Sequence, residues 1–295
     1  MQIWKFLRVL VFHPMAGFLK LGSIRRFLFW QIKSRLRNRV FIHKWLYPAS
    51  FYVYRSETGL TGNVYVGLHE FEDMGFLLHC LKPDDIFVDI GANSGSYTLL
   101  ASAVIGARSI SIEPVSSTFE RLSRNILLNG IEKKVKAFKV GLSDKKGSLN
   151  VTNTADSMNH LTIDTSEGST ERVAISTLDD VLLGQLPQLI KIDVEGWEGQ
   201  VLAGGRLTLR KSSLLALIVE LNGSSYKFGV SENSIMQLLS DEGFVPISYN
   251  PLDSSIEFLS QKSLTKTNTL FIRNFEEVSN RIKNAPKRKL HGLTF

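Results

Sequence analysis

From residue 86 to residue 273, runs of Ile, Val and Leu alternate with stretches whose apolar residues recur every three or four positions. The runs are IFVDI (86–90), SISIE (109–113), VKAFKV (135–140), LIKIDV (189–194), LLALIVEL (214–221), FVPISY (244–249) and TLFIR (269–273). Each has the length and β-branched weight of a strand. The spacing between them predicts helices over 95–105, 116–129, 197–210 and 231–242. Near-continuous apolar strands separated by amphipathic helices indicate a mostly parallel sheet covered on both faces. Upstream, FYVYRSE and GNVYVG read as two short strands bracketing a turn at Thr58 to Gly62, and a helix follows from Glu70 to Leu81. The polar stretch from Gly147 to Val173 reads as a strand pair or a loop beside the site. The end, KNAPKRKLHGLTF, reads as a basic, poorly ordered tail.

The first fifty residues follow another pattern. Apolar and aromatic side chains recur at helical spacing with Lys and Arg between them. The chain therefore divides into a basic amphipathic helical extension (1–50), an α/β domain (51–275) and a basic C-terminal tail (276–295). No apolar run approaches the roughly 18 residues of a spanning helix. No pattern of a cleaved signal peptide is present either. Two readings of the extension stay open. In one, it lies on an anionic membrane with Trp4, Phe27 and Trp30 inserted. In the other, it caps the main domain and its charges are solvated.

Charge sharpens this division. The net charge is +7, yet residues 1–56 hold eleven Lys and Arg and no Asp or Glu. The remaining chain carries 24 basic and 28 acidic side chains, a net of −4. A strand-binding enzyme would carry its basic face around the active site, so nucleic acid is not the expected substrate. The single cysteine, Cys80, excludes a disulfide framework and lies in the apolar run FLLHCL, where it reads as packing. These features are read as a cytoplasmic protein, with any lipid contact at the inner face of the membrane.

Candidate chemistry concentrates at strand ends. VDIGANSGSYTLL (88–100) closes the first strong strand and opens a helix. Gly91 and Gly95 permit a tight turn close to a ligand, and the free N–H groups of a helix start offer hydrogen bonds. The spacing is G-x-x-x-G, with Asn93 between, and not the dinucleotide fingerprint, so a pyrophosphate is disfavoured. Asp89 is placed to accept from a cationic amine. Glu113 ends the next strand, where a carboxylate can accept both hydroxyls of a ribose. In IDVEG, Asp193 and Glu195 end a central strand. Asp193 is the first choice for a base, or for a ligand to a divalent ion shared with Glu220. Glu195 reads as starting the following helix. Capping is the competing reading for all three. A histidine base would come from His69, His79 or His160. His160, in the polar DSMNHL stretch, is the best placed of them, and His79 reads as packing.

Taken in order, VDIGANSGSYT, IEP (112–114), NILLNG (125–130), VGLSD (140–144), STLDD (176–180) and IKIDVEGWEGQVLAG (190–204) resemble the FkbM-type family of S-adenosylmethionine-dependent methyltransferases. LIVELN (217–222) and GLHEFED (67–73) match more loosely. The likeness runs from about residue 50 to 275. It implies a Rossmann-like class I methyltransferase fold, a seven-stranded, mostly parallel sheet with its last strand antiparallel. It implies that Asp89, Gly91, Asn93 and Gly95 hold the methionine end of S-adenosyl-L-methionine. Glu113 would bind the ribose, Ser143 and Asp144 would flank the adenine, and Glu70 would approach from the upstream helix. Acceptors in such a family are hydroxyls of sugars, glycolipids or secondary metabolites. The competing functions are an RNA or protein methyltransferase and a non-catalytic, membrane-associated module on the same fold. The Asn/Asp-Pro-Pro-Tyr type of motif for methylating base amino groups is missing, and a nicotinamide oxidoreductase lacks its fingerprint.

Overall fold

The computed structural model describes the chain apart from residues 1–9, 17–20, 37–39, 55–58, 153–160, 163–169 and 265. Its centre is one eight-stranded sheet. In chain order the strands are β1 (Ile86–Ile90), β2 (Arg108–Ile112), β3 (Val135–Phe138), β4 (Leu189–Ile192), β5 (Ala216–Glu220), β6 (Val245–Asn250), β7 (Ser255–Phe258) and β8 (Asn268–Ile272). Across the sheet the order is β7-β6-β8-β5-β4-β1-β2-β3. The strands from β5 to β3 pair in parallel, and β8 runs antiparallel between β5 and β6. All seven predicted strands form, and the last of them is the antiparallel one. The eighth, β7, is a short hairpin partner of β6 at one edge. Its burial pattern is largely exposed, so it lacked the apolar run that marked the others.

Continuous apolar strands arise because both sheet faces are covered. Along β1, Phe87 enters one core with Phe76, Leu77 and Leu99, while Val88 and Ile90 enter another with Val201, Leu202 and Leu209. Every residue of β1, β4 and β8 is buried. The helices Phe71–Cys80, Ser116–Leu128 and Glu232–Asp241 fall where periodicity places them. The predicted helix 95–105 runs as Ser96–Leu99 and continues as a π-helix to Ile105. The segment 197–210 is two short helices, Glu198–Ala203 and Arg206–Leu209. The break falls at Gly204, where an added Cβ would lie 2.1 Å from the Ser143 carbonyl oxygen. Backbone approaches backbone there, and a side chain does not fit.

Three expectations are corrected. GNVYVG is not a strand: Thr61–Val66 is a buried helix. Its alternating pattern misleads because nearly every residue in it is inside, so no polar face marks the period. The stretch after Gly147, where it is described, is more than a strand pair. Gly147–Thr152, Leu161–Thr162 and Thr170–Ser176 join Gly141–Leu142 in a second, four-stranded sheet. The C-terminal tail is structured. Asn274 caps a helix, Phe275–Lys283, which buries Val278 and Ile282, and Arg281 pairs with Asp85. A short hairpin follows, and the final Phe295 is buried edge-to-face against Phe71 at 5.7 Å.

The N-terminal extension contributes the helix Gly22–Leu36 and a hairpin of Phe41–Lys44 with Ser50–Val53. Phe27 and Trp30 do not point outward. Trp30 is buried edge-on to Phe41 at 5.7 Å, and Phe27 meets Tyr65 at 5.2 Å. Their three-residue spacing does give them one helical face, but that face packs on the body. Trp4 lies outside the described residues.

Candidate functional site

The carboxyl ends of β1, β2, β4 and β5 open onto one cleft, the place where open α/β sheets present ligands. Three of these ends are held together at Gly91. Its N–H and that of Ala92 both donate to the Ile112 carbonyl at 3.0 Å, and Asp193 N–H donates to Ile90 at 3.0 Å. Gly91 has φ +75°, and a Cβ there would lie 1.8 Å from the Asp193 carbonyl oxygen.

Of the predicted residues, Glu70, Asp89, Gly91, Asn93, Glu113, Asp193, Glu195 and Glu220 line this cleft. Gly95 stands one step back, as the left-handed residue before the helix Ser96–Leu99. Ser143 and Asp144 are not on the wall: the Ser143 hydroxyl donates to Asp144 at 3.0 Å and accepts from Trp197 Nε1 at 3.2 Å. Gly141 and Leu142 from the same loop are on the wall instead. His160 lies outside the described residues. His69 lines the cleft, whereas His79 is buried with Nδ1 2.5 Å from the Tyr249 hydroxyl. Cys80 is buried too, and burial pushes its thiol up to about 12, so it packs and does not react.

Glu113 is held rigidly. Oε1 accepts from Val115 N–H (3.0 Å) and the Thr118 hydroxyl (2.7 Å), and Oε2 accepts from Asn93 N–H (2.9 Å). Asp89 Oδ2 accepts from both the N–H and the hydroxyl of Thr98, at 3.0 and 2.6 Å. Burial raises both carboxyls above their ordinary range. A carboxylate offers about four acceptor positions, so both retain capacity toward a ligand.

Across the cleft stands a second acidic group. Carboxyl oxygens of Asp193, Glu195 and Glu220 lie within 4.8 Å of one another. Burial first, then Asp193 and Glu198, pushes Glu195 up to about 7. Burial, then Asp193 and Glu195, pushes Glu220 up to about 10. Its Oε2 is buried without a hydrogen-bond partner. Glu195 does not start the following helix. It occupies a left-handed turn at φ +54°, and Glu198 takes the helix-start role, accepting from Val194 and Gly196 N–H groups at 3.2 and 3.0 Å. Glu195 is thereby left facing the cleft.

Three site residues escaped sequence reasoning. Lys191, from the middle of β4, is buried at 4% exposure and bonds Asp193 at 2.5 Å. Its ammonium also lies 4.7 Å from the Tyr97 ring centroid. Burial opposes the charge of Lys191, but Asp193, Glu70 and Asp89 outweigh it and hold the ammonium above its ordinary range. Tyr97 donates to Glu70 at 2.8 Å. Asn268 donates to Glu70 at 2.8 Å and to Asp73 at 3.0 Å, and burial pushes Asp73 up to about 7. The available signal was Lys191 itself, a lysine inside an apolar strand, which is almost never buried unless paired.

The methyltransferase FkbM domain matches residues 89–246, more than half of the chain. The chain belongs to the FkbM methyltransferase family. It is 30% identical over 167 residues to the hexuronic acid methyltransferase AglP of Haloferax volcanii, covering 56% of this chain and 65% of that protein. It is 30% identical over 169 residues to the methyltransferase sdnD of Sordaria araneosa, covering 44% of this chain and 65% of that protein. The chain thus spans just under two thirds of each relative. Among solved structures, the precorrin-6Y C5,15-methyltransferase of Geobacter metallireducens is similar at 13% identity. That likeness covers 75% of this chain and 92% of that one, with a TM-score of 0.41. Its TM-score is below 0.5, and the class I arrangement of this FkbM chain rests on its own strand order.

Proposed function

We propose that this FkbM chain transfers a methyl group from S-adenosylmethionine to a hydroxyl of a sugar, glycolipid or secondary metabolite. The carrying observation is the charge of the cleft. Six carboxyl groups and one lysine line it. Such a wall suits a ligand bearing a sulfonium and an ammonium, and it repels a pyrophosphate. The residues fit the cofactor on two counts. Glu113 presents a fixed carboxylate beside the apolar Val140, Leu142 and Val151, which suits a ribose next to a flat base. Asp89 and Glu70 lie on the side suited to the cationic methionine end. When bound, the cofactor supplies an electrophilic methyl group.

The chain must then position a hydroxyl and weaken its O–H bond. Asp193, Glu195 and Glu220 serve this step. Three carboxyls so close cannot all ionise, so the set keeps an exchangeable proton. Lys191 neutralises and orients Asp193, which accepts the hydroxyl hydrogen bond, and Glu195 titrates near the working pH of a base. The same oxygens suit a divalent cation. Lys191 already places a positive charge on Asp193, which favours the proton-sharing reading.

The Haloferax relative is named for a hexuronic acid, a sugar that carries both hydroxyl and carboxyl oxygens. The test is transfer of a labelled methyl group from S-adenosylmethionine to uronic-acid glycans, with RNA as the competing acceptor. A label that survives mild base is a methyl ether and supports the proposal. A label released by mild base is a carboxyl ester and contradicts it. Label on RNA alone contradicts it also.

A further inference from the structure

We propose that the outward face of the helix Gly22–Leu36 docks on an anionic lipid bilayer. The helix carries apolar side chains on two opposite faces. One holds Trp30 and Phe27 and packs on the body. The other presents Leu21, immediately before the helix, and Leu28, Phe29 and Ile32. Phe29 and Ile32 are 65% and 59% exposed. At 100° per residue these four side chains share one stripe, and the exposed Arg25 and Arg35 fall within it. A soluble helix turns polar groups outward at such positions. A cluster of exposed apolar side chains marks an interaction surface.

The charge of the face selects the partner. Arg25 and Arg35 are exposed on it, and residues 1–56 hold no acidic side chain to offset them. A second copy of this chain would set the same basic face against itself, since a two-fold interface is self-complementary. A nucleic acid satisfies Arg25 and Arg35 but leaves Leu28 and Ile32 in water. An anionic bilayer satisfies both: phosphates meet the arginines, and the acyl boundary takes the apolar side chains. Lys33 adds to the positive rim, its ammonium 5.7 Å from the Phe29 ring. Among the described residues no helix is long and apolar enough to cross a membrane, so the contact is peripheral.

The surface also has a position relative to the cleft. The helix packs on Thr61–Val66, which lies between the cleft residues Gly59 and His69. The helix thus sits against the segment that joins Gly59 to His69. The proposal rests on the exposed face alone and stands apart from the methyl-transfer reading.

The test is flotation of the full chain with vesicles of phosphatidylcholine, with and without about 30% phosphatidylglycerol. The native protein is expected to float with the anionic vesicles at low salt and to be released as salt rises. Phe29→Asp with Ile32→Asp should lower the bound fraction at least about ten-fold, because two apolar side chains leave the acyl boundary. Arg25→Glu with Arg35→Glu should lower it comparably. Both pairs are expected to unfold at the native temperature and to bind S-adenosylhomocysteine unchanged, because no altered side chain is buried or lines the cleft. A native protein that stays off anionic vesicles at low salt overturns the proposal. So does flotation that neither pair changes. So does a dimer, seen by light scattering, that the Phe29 and Ile32 pair dissolves while vesicles bind nothing.

Discussion

Gly91→Ala is expected to cost more than about 3 kcal/mol of folding stability, a large part of the roughly 5–15 kcal/mol a domain possesses. The added Cβ would sit 1.8 Å from the Asp193 carbonyl oxygen, and the residue has φ +75°. Neither atom can move cheaply. Asp193 N–H is fixed to Ile90, and the Gly91 and Ala92 N–H groups are fixed to Ile112. The methyl group would wedge β1 away from β4 at the mouth of the cleft. Gly130→Ala is the control. Gly130 also has positive φ, at +63°, but nothing lies within 4 Å of its added Cβ. It should cost only about 1–2 kcal/mol, the penalty of the left-handed backbone alone. Denaturant unfolding of both variants checks this. Equal losses would show that φ, and not the approach of the Asp193 backbone, makes Gly91 necessary.

Lys191→Met is expected to reduce methyl transfer at least about 100-fold and to destabilise the protein by about 3 kcal/mol. The ammonium stands as the one lysine among six cleft carboxyls, and it bonds Asp193 directly. Its removal leaves the buried Asp89 and the partly buried Asp193 without a counter-charge. Adding Asp193→Asn to Lys191→Met should recover much of the stability, since one orphaned charge goes, while activity stays lost. That split separates a positioning role from a merely structural one. Activity that returned together with stability would refute the assignment of Asp193 and Lys191 to the acceptor side of the reaction.

The fold was legible where burial was symmetrical. β1, β4 and β5 are covered on both faces, so their sequences, IFVDI, LIKI and ALIVE, are dominated by apolar residues with few polar ones between them. Chemistry at the ends of such strands stands out, which is why Asp89, Glu113 and Asp193 were found. What failed was information carried by neighbours distant in the chain. Asn268 reaches Glu70 only because β8 inserts beside β5, opposite Glu220 in register. Tyr97 reads as an ordinary helix residue until Lys191 rises beneath its ring. Glu195 and Glu198 exchange the expected roles because of one left-handed turn, which the letters VEGWE do not announce. The basic tail misled for a related reason. Three apolar anchors, Val278, Ile282 and Phe295, outweigh its lysines, and their partners lie some two hundred residues earlier.

We propose that the acidic cleft holds a cationic sulfonium cofactor with Glu113 on its ribose. Calorimetric titration with S-adenosylmethionine and, separately, with NAD tests it directly, using the native protein and Glu113→Ala. The native protein is expected to bind S-adenosylmethionine and not NAD. Glu113→Ala, still folded, should lose at least about ten-fold in affinity, the loss of a charge-assisted hydrogen bond. Binding of NAD in place of S-adenosylmethionine, or unchanged affinity in Glu113→Ala, would contradict it.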